Sequence, residues 1–207
     1  MYQPVLLYGD SIIDNKYYVC EGEKSVLEHL KTISTDEFIQ IAIDGDTTTD
    51  VLDKQLQVST IKEGSKVVLS IGGNDLLQHL PFLYKSNFEN INEGLESLQN
   101  EIFSPLAERY EAIVESLSSY RANLLLLTIY EGDLGRTDEF RGVLDSSKIM
   151  ASALNDIVYK TAKKYGADVL ELRHIFTSSE DYANPIEPSH IGGEKLAKAI
   201  TEWVDAT

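Results

Sequence analysis

The sequence has little cysteine, few basic residues and no long apolar run, and each shortage excludes a class of protein. Its single cysteine, Cys20, has no partner for an internal disulfide, which excludes a disulfide-stapled scaffold and favours a reducing compartment. The longest strongly apolar stretch, Asn123 to Ile129, is far shorter than the roughly 20 residues of a membrane-spanning helix. We therefore expect no stable membrane insertion.

The charge balance argues against polyanionic partners. Acidic residues outnumber basic residues by 34 to 18, which gives a formal net charge of -16. A surface of this sign repels phosphate backbones, so we expect no nucleic-acid partner. The first residues lack the basic segment and apolar core of a secretory signal, and a cytoplasmic location is the expectation.

What is present fits one domain with its own core. The chain has 207 residues, of which 43% are hydrophobic, and we expect a single domain over 1–207. Short β-rich runs alternate with helix-period segments, which predicts an α/β fold with a parallel sheet covered on both faces. The predicted strands are Val5 to Tyr8, Phe38 to Ile43, Lys66 to Ile71, Asn123 to Ile129 and Ala167 to Leu172.

Apolar residues recur at three- and four-residue steps between these strands, as in sheet-covering helices. The predicted helical segments are Ser25 to Ile33, Phe88 to Ile102 with a restart at Ser104-Pro105, Leu154 to Tyr165 before a left-handed Gly166, and Leu196 to Val204. Ligands of open α/β sheets bind beyond the carboxyl ends of the strands. The loops after the strands are therefore where a site is expected.

Three of these loops carry unusual residues. They are Gly9-Asp10-Ser11-Ile12-Ile13-Asp14, Asp44-Gly45-Asp46-Thr47-Thr48-Thr49 and Ile71-Gly72-Gly73-Asn74-Asp75. Taken alone, each is more simply explained by helix capping or a tight turn. Their occurrence in order, each after its own strand, favours a site in which amide groups hold an anion or an oxyanion.

On these residues the sequence resembles the SGNH hydrolases, also called the GDSL esterase and lipase family, over nearly its whole length. Gly9-Asp10-Ser11 with Asp14, Gly45, and Gly72-Gly73-Asn74-Asp75 are similar to the first three blocks of that family. The resemblance implies a flavodoxin-like three-layer fold and a nucleophile at Ser11. It also implies an oxyanion hole from the Ser11 amide, the Gly45 amide and the Asn74 side chain, with no metal or organic cofactor.

The sequence departs from the family in the late Asp-x-x-His segment, where two alignments are possible. In the first, His190 is the general base and Glu187 its orienting carboxylate, which keeps a Ser-His-acid triad. In the second, Glu187 takes the usual place of the histidine and Asn184 that of the aspartate. The second aligns more positions without a gap, but an ordinary glutamate, with a pKa of about 4.3, is a weaker base than histidine.

The other histidines are weaker candidates for the base. We expect His29 to be a solvated surface residue and His79 to have a surface or packing role, with lining of the pocket as its alternative. His174 is an alternative base at the sheet edge. The histidines show no regular spacing and no metal-site signature. In the loop from Tyr130 to Val143, Arg136 or Arg141 is a candidate for substrate contact, as is Tyr182 further on.

The predicted function is a serine esterase that hydrolyses small acyl esters, such as acetylated carbohydrates, thioesters or short-chain aryl esters. The predicted partner is thus a small-molecule ester substrate. The alternative is a nearly inactive relative that binds a small ligand or a partner in the same crevice. The departure at Asn184 and Glu187 keeps this alternative open.

Overall fold

A parallel five-stranded sheet forms the centre of the protein. The computed structural model describes residues 3–58, 61–85, 87–140 and 142–207. The strands lie in the order β2-β1-β3-β4-β5. They are β1 (Val5–Gly9), β2 (Phe38–Gln40), β3 (Lys66–Ser70), β4 (Asn123–Leu127) and β5 (Asp168–Leu170). All neighbouring pairs are parallel, and the five predicted strands are confirmed.

Apart from the first residues of β3 and β4, the central strands are buried because helices cover both faces of the sheet. All residues of β1 are buried, and Leu7 lies beside Val68, which in turn lies beside Leu125. These apolar side chains form the middle of the main core. The sequence shows the matching pattern, since the strands are nearly continuous apolar runs rather than alternating ones.

The edge strand β2 is shorter than predicted. The amides of Ile41 and Ala42 both donate to the Leu7 carbonyl at 2.8 Å, and the Ile43 amide donates to the Gly9 carbonyl at 3.1 Å. Two donors on one carbonyl interrupt the regular spacing of a parallel ladder. The segment therefore continues along β1 beyond Gln40 without regular strand pairing.

Nine α-helical segments lie within the described residues. They are α1 (Val26–Ile33), α2 (Thr48–Asp50), α3 (Leu56–Val58), α4 (Gly73–Leu77), α5 (Leu80–Lys85), α6 (Ile91–Leu98), α7 (Ser104–Ser118), α8 (Leu144–Tyr165) and α9 (His190–Ala206). Wider π-helical turns join α2 to α3 and α6 to α7. None of the described helices is long and apolar enough to span a membrane.

Helix ends follow local chemistry that is readable in the sequence. Ser25 caps α1 in a capping box with Glu28. Pro105 lies in the first turn of α7, where its missing amide hydrogen is tolerated, and a π-helical turn connects this helix to α6. Gly166 ends α8 with a φ of 69°, the left-handed conformation expected of it.

The helices form the outer layers of a three-layer fold. Helix α1 packs against α9, and α7 packs against α8. The result is the predicted flavodoxin-like α/β/α architecture with strand order 2-1-3-4-5. The loops after β1 and β3 meet at the carboxyl edge near the point where strand order reverses, because β1 and β3 are adjacent although β2 lies between them in sequence.

Candidate active site

The loop after β1 turns sharply and places Ser11 at the sheet edge. Gly9 has a φ of 135°, and a Cβ there would lie 1.8 Å from the Ser70 carbonyl oxygen of β3, so no larger residue fits. Asp10 Oδ1 accepts a hydrogen bond from the Ile12 amide at 3.1 Å and closes the turn around Ser11. Ser11 is largely buried, with 6% of its surface exposed.

The loop after β2 is tied to the end of β1 by a buried glutamine. Gln55 accepts from the Gly9 amide at 2.9 Å and donates both to the Gly9 carbonyl at 2.7 Å and to Asp46 Oδ2 at 2.8 Å. Gly45, just before Asp46, has a φ of 84°. The turn that carries Gly45 is thus held against the Ser11 loop by hydrogen bonds.

The loop after β3 is tied in turn to the loop after β2. Asn74 Nδ2 donates to the Asp46 carbonyl at 3.0 Å. An amide nitrogen carries two hydrogens, and this bond uses one of them. Asn74 therefore keeps one N–H for a ligand while its side chain stays oriented by Asp46.

Asp75, next to Asn74, holds the same two loops together. Its Oδ2 accepts from the Thr48 amide at 2.9 Å and its Oδ1 from the Thr48 hydroxyl at 2.6 Å. Arg109 on α7 donates to Asp75 Oδ1 at 3.2 Å and to Thr48 Oγ1 at 2.8 Å. Sequence reasoning missed this network. Asp75 is part of the third block, but nothing in the local sequence of α7 indicates that Arg109 contacts it.

Glu187 lies on a turn that Asn184 closes. Asn184 Oδ1 accepts from the amides of Ile186 and Glu187 at 2.9 and 3.0 Å. From the other side, the Tyr130 hydroxyl donates to the Ile186 carbonyl at 2.7 Å. Asn184, at the place of the usual aspartate, thus shapes the backbone that carries Glu187 rather than bonding to its carboxyl.

The carboxyl group of Glu187 is buried and incompletely partnered. The residue is 6% exposed, and within the described residues its Oε2 has no hydrogen-bond partner. Burial raises its pKa to about 7, the Ser11 hydroxyl partly offsets the rise as a hydrogen-bonding neighbour, and the Asp44 carboxylate adds to it. A carboxyl group with this pKa exchanges its proton near neutral pH.

A second titratable carboxyl lies in the same surroundings. Burial raises the pKa of Asp10 well above its usual range, the Ile12 amide acts against this rise, and the carboxylates of Glu187 and Asp75 add to it. The ionised form of Asp10 is thus disfavoured by its burial and by the two neighbouring carboxylates.

His190 lies in a different environment. It is the first residue of α9, and its Nδ1 is 3.0 Å from Nε2 of His29 and 3.2 Å from the Lys24 amide nitrogen, which donates to it. The two imidazole rings lie 4.7 Å apart between α1 and α9. The expectation that His29 is a solvated surface residue is wrong, because it is 5% exposed and packs against His190.

One cavity collects most of the predicted site residues. It encloses about 700 Å³ including its open mouth. It is lined by Asp10, Ser11, Ile12, Gly73, Asn74, Leu76, Leu77, Leu80, Ile129, Tyr130, Glu131, Gly132, Leu134, Ser147, Met150, Ala151, Ile186 and Glu187. Ser11, Asn74 and Glu187 are brought together here, whereas Gly45 and His190 do not line it.

The remaining predicted contacts lie elsewhere. His79 and His174 are not among the residues that line the cavity. Arg136 donates to the Tyr182 carbonyl at 3.2 Å, so both are part of the loop structure. Arg141 lies outside the described residues. Across the described part of the chain, no group of three or more histidine, cysteine or acidic side chains is placed to hold a metal ion.

Comparison with known families identifies the family of the chain. The model of the GDSL-like lipase/acylhydrolase family matches residues 7–191, which include all three loops and the Glu187 turn. The chain belongs to this family. GDSL hydrolases act on ester bonds, and the resemblance inferred from the three loops is confirmed. A comparison with curated protein sequences finds no match.

Solved structures share the GDSL fold at low sequence identity. Phospholipase A1 from Streptomyces albidoflavus is 17% identical with a TM-score of 0.72, and the match covers 98% of this chain and 99% of that one. A lipase/acylhydrolase from Enterococcus faecalis is 18% identical with a TM-score of 0.66, covering 100% and 96%. A catalytic mutant of Axe2, an acetylxylan esterase from Geobacillus stearothermophilus, is 13% identical with a TM-score of 0.68, covering 97% and 93%. At these identities the likeness extends to the fold.

Proposed function

We propose that the protein is a serine esterase in which Ser11 is the nucleophile and Glu187 the general base. The observation that carries the proposal is the meeting of Ser11, Asn74 and the buried Glu187 at one cavity. His190 is a poorer candidate for the base, because it does not line this cavity and packs against His29 between α1 and α9. A base must lie within reach of the proton that it removes, directly or through one water.

The raised pKa of Glu187 makes this role chemically reasonable. A carboxylate with an ordinary pKa is a poor base for a hydroxyl group, and its acid form is scarce at neutral pH. With a pKa of about 7, Glu187 accepts a proton more readily and also holds it long enough to return it. Burial thus supplies part of what an imidazole contributes in other GDSL hydrolases.

The proposed reaction forms and then hydrolyses an acyl-enzyme. Ser11 Oγ bonds to the ester carbonyl carbon as its proton passes to Glu187, and the carbonyl π electrons move to the oxygen. When the carbonyl reforms, the bond to the alkoxy oxygen breaks and the alcohol leaves with the proton from Glu187. Water then attacks the acyl-serine and gives a proton to Glu187. Collapse releases the carboxylic acid, and Ser11 Oγ recovers the proton.

Free N–H groups of Ser11 and Asn74, which both line the cavity, support an oxyanion hole. Within the described residues, the backbone amides of Ser11 and Gly45 donate no hydrogen bond, and Asn74 keeps one side-chain N–H. Donors held by the surrounding hydrogen bonds need no reorganisation when charge develops on the carbonyl oxygen. We propose that the Ser11 amide and the Asn74 side chain hold the oxyanion, with the Gly45 amide as the third donor that the family resemblance implies.

The proposal is tested with Ser11→Ala and a fluorophosphonate probe. We expect the parent protein to be labelled at Ser11 and to hydrolyse p-nitrophenyl butyrate, with kcat/KM rising through a pKa of about 7 as Glu187 ionises. Ser11→Ala should lose both labelling and turnover. Hydrolysis by Ser11→Ala at the parental rate would exclude the serine mechanism. No observation on the described residues favours the alternative of an inactive ligand-binding relative.

A further inference from the structure

The cavity at Ser11 is bounded by two separate apolar clusters. Apart from the main core, the described residues contain a second cluster of Leu134, Phe140 and Val143, against which Leu77, Leu80, Leu144 and Ile186 pack. Leu134, Leu77, Leu80 and Ile186 face the cavity on this side, and Leu76, Ile129, Met150 and Ala151 of the main core line it as well. The cavity therefore lies between two apolar surfaces that do not fill it.

The ionisable side chains that line the cavity are all acidic. They are Asp10, Glu131, Glu187 and Tyr130, and neither lysine nor arginine is among the lining residues. Burying an anion in such a place is unfavourable, because no lysine or arginine lines the cavity to compensate it, and Lys148, 3.7 Å from Glu131 Oε2, is itself paired. The cavity thus favours an uncharged ligand with a large apolar surface.

We propose that this cavity binds the acyl chain of the ester, and that it selects a medium-length, uncharged aliphatic chain over acetyl. The inference rests on the proposed esterase function, which identifies the ligand as an acyl group. An acetyl group leaves most of the apolar wall uncovered, whereas each further methylene removes apolar area from water. The expected gain is about fourfold in affinity per methylene until the cavity is filled.

Helix α8 carries the residues that set the usable length. Ala151 and Met150 are buried and line the cavity, whereas Ser152 is exposed on the same helix and does not line it. Ala151→Leu adds a side chain into the cavity and should move the preferred ester toward shorter chains. Met150→Ala enlarges the cavity and should move it toward longer chains. Ser152→Leu is the matched control, and its preferred chain length should equal that of the parent.

The first experiment measures kcat/KM for p-nitrophenyl acetate, butyrate, hexanoate and octanoate below their aggregation limits. We expect at least a tenfold rise from acetate to hexanoate, and a much slower reaction for the hexanoate analogue that ends in a carboxylate. Ser11-dependent hydrolysis that is fastest for acetate, or equal for all four, would overturn the acyl-chain inference and leave the esterase function standing.

The second experiment separates binding from turnover. Calorimetry of Ser11→Ala with acetamide, butyramide, hexanamide and octanamide measures occupation of the cavity by uncharged acyl analogues. We expect affinity to increase with chain length, and Ala151→Leu in the Ser11→Ala background to remove the increase for the longest amide. Binding without any turnover by the parent would refute the esterase function but support the cavity inference. Failure of every amide to bind would refute the cavity inference.

Discussion

Two buried carboxyl groups at the same edge of the sheet are arranged in opposite ways. Asp75 is 5% exposed, and both of its oxygens accept hydrogen bonds from Thr48 or Arg109. Glu187 is 6% exposed, but its Oε2 has no partner within the described residues and burial raises its pKa to about 7. A fully partnered carboxylate holds loops together, whereas an incompletely partnered one is available for proton transfer.

The largest expected effect is on turnover at Glu187. Glu187→Gln keeps the shape of the side chain but removes the base, and we expect kcat to fall by about a thousandfold. His190→Ala should retain activity within roughly tenfold, because its ring contacts His29 rather than the cavity. Steady-state kinetics on p-nitrophenyl butyrate checks both variants. A larger loss in His190→Ala than in Glu187→Gln would restore the triad alignment.

The next effect concerns stability at alkaline pH. Burial raises the folded-state pKa of Glu187 to about 7 from 4.5, so the folded protein binds this proton more tightly than the unfolded chain. Its contribution to stability is present below pH 4.5 and is lost as pH rises through about 7. Between pH 5 and pH 9 the free energy of unfolding of the parent should therefore fall by about 3 kcal/mol relative to that of Glu187→Gln.

Urea unfolding at the two pH values measures this difference. Glu63→Gln, which alters an exposed carboxylate on the surface, is the control and should show no comparable change with pH. An identical pH response in Glu187→Gln and the parent would contradict the burial of an ionisable group at this position.

A smaller loss of stability is expected at Asp75. Asp75→Asn replaces one accepting oxygen with a donating NH2 group, which then faces the donors of Thr48 or Arg109. We expect the free energy of unfolding to fall by about 2 kcal/mol. Glu63→Gln, opposite the exposed Arg121, should cost less than about 0.5 kcal/mol. Equal effects of the two substitutions in urea unfolding at pH 7 would show that the Asp75 network does not hold the loops.

The smallest effect is expected at His29 under acidic conditions. Burial lowers the pKa of His29, the neighbouring His190 and Lys24 lower it further, and Glu194 acts against them. Because the unfolded chain binds this proton more tightly, the stability contribution is present above pH 6.5 and declines as pH falls below it.

Because the Glu187 contribution is larger, His29→Gln is tested in the Glu187→Gln background. There it should weaken the loss of melting temperature between pH 7.5 and pH 5. Glu187 cannot produce this signal, because its contribution changes with pH in the opposite direction. A melting temperature of Glu187→Gln that stays constant over this range would contradict the buried histidine pair.

Much of the fold could be predicted because its signals are local. The Ser25 cap, the left-handed Gly166 and the proline in the first turn of α7 each lie where short-range chemistry places them. The early end of β2 was not predictable, since it depends on how Ile41 and Ala42 share the Leu7 carbonyl across the sheet. Hydrogen bonds between segments distant in sequence leave no local pattern.

The sequence by itself determined the α/β class, the five strands and the three loops that carry Ser11, Gly45 and Asn74. Only the tertiary structure places Glu187, rather than His190, in the lining of the cavity that contains Ser11. Both residues lie in one short segment, and both alignments satisfy its local pattern. The choice depends on the Tyr130 hydroxyl, which fixes the turn before Glu187 from a distant loop, and on α1, which engages His190 through His29. Burial and its effect on the pKa of Glu187 arise from this packing, because a side chain loses its water only when remote segments cover it.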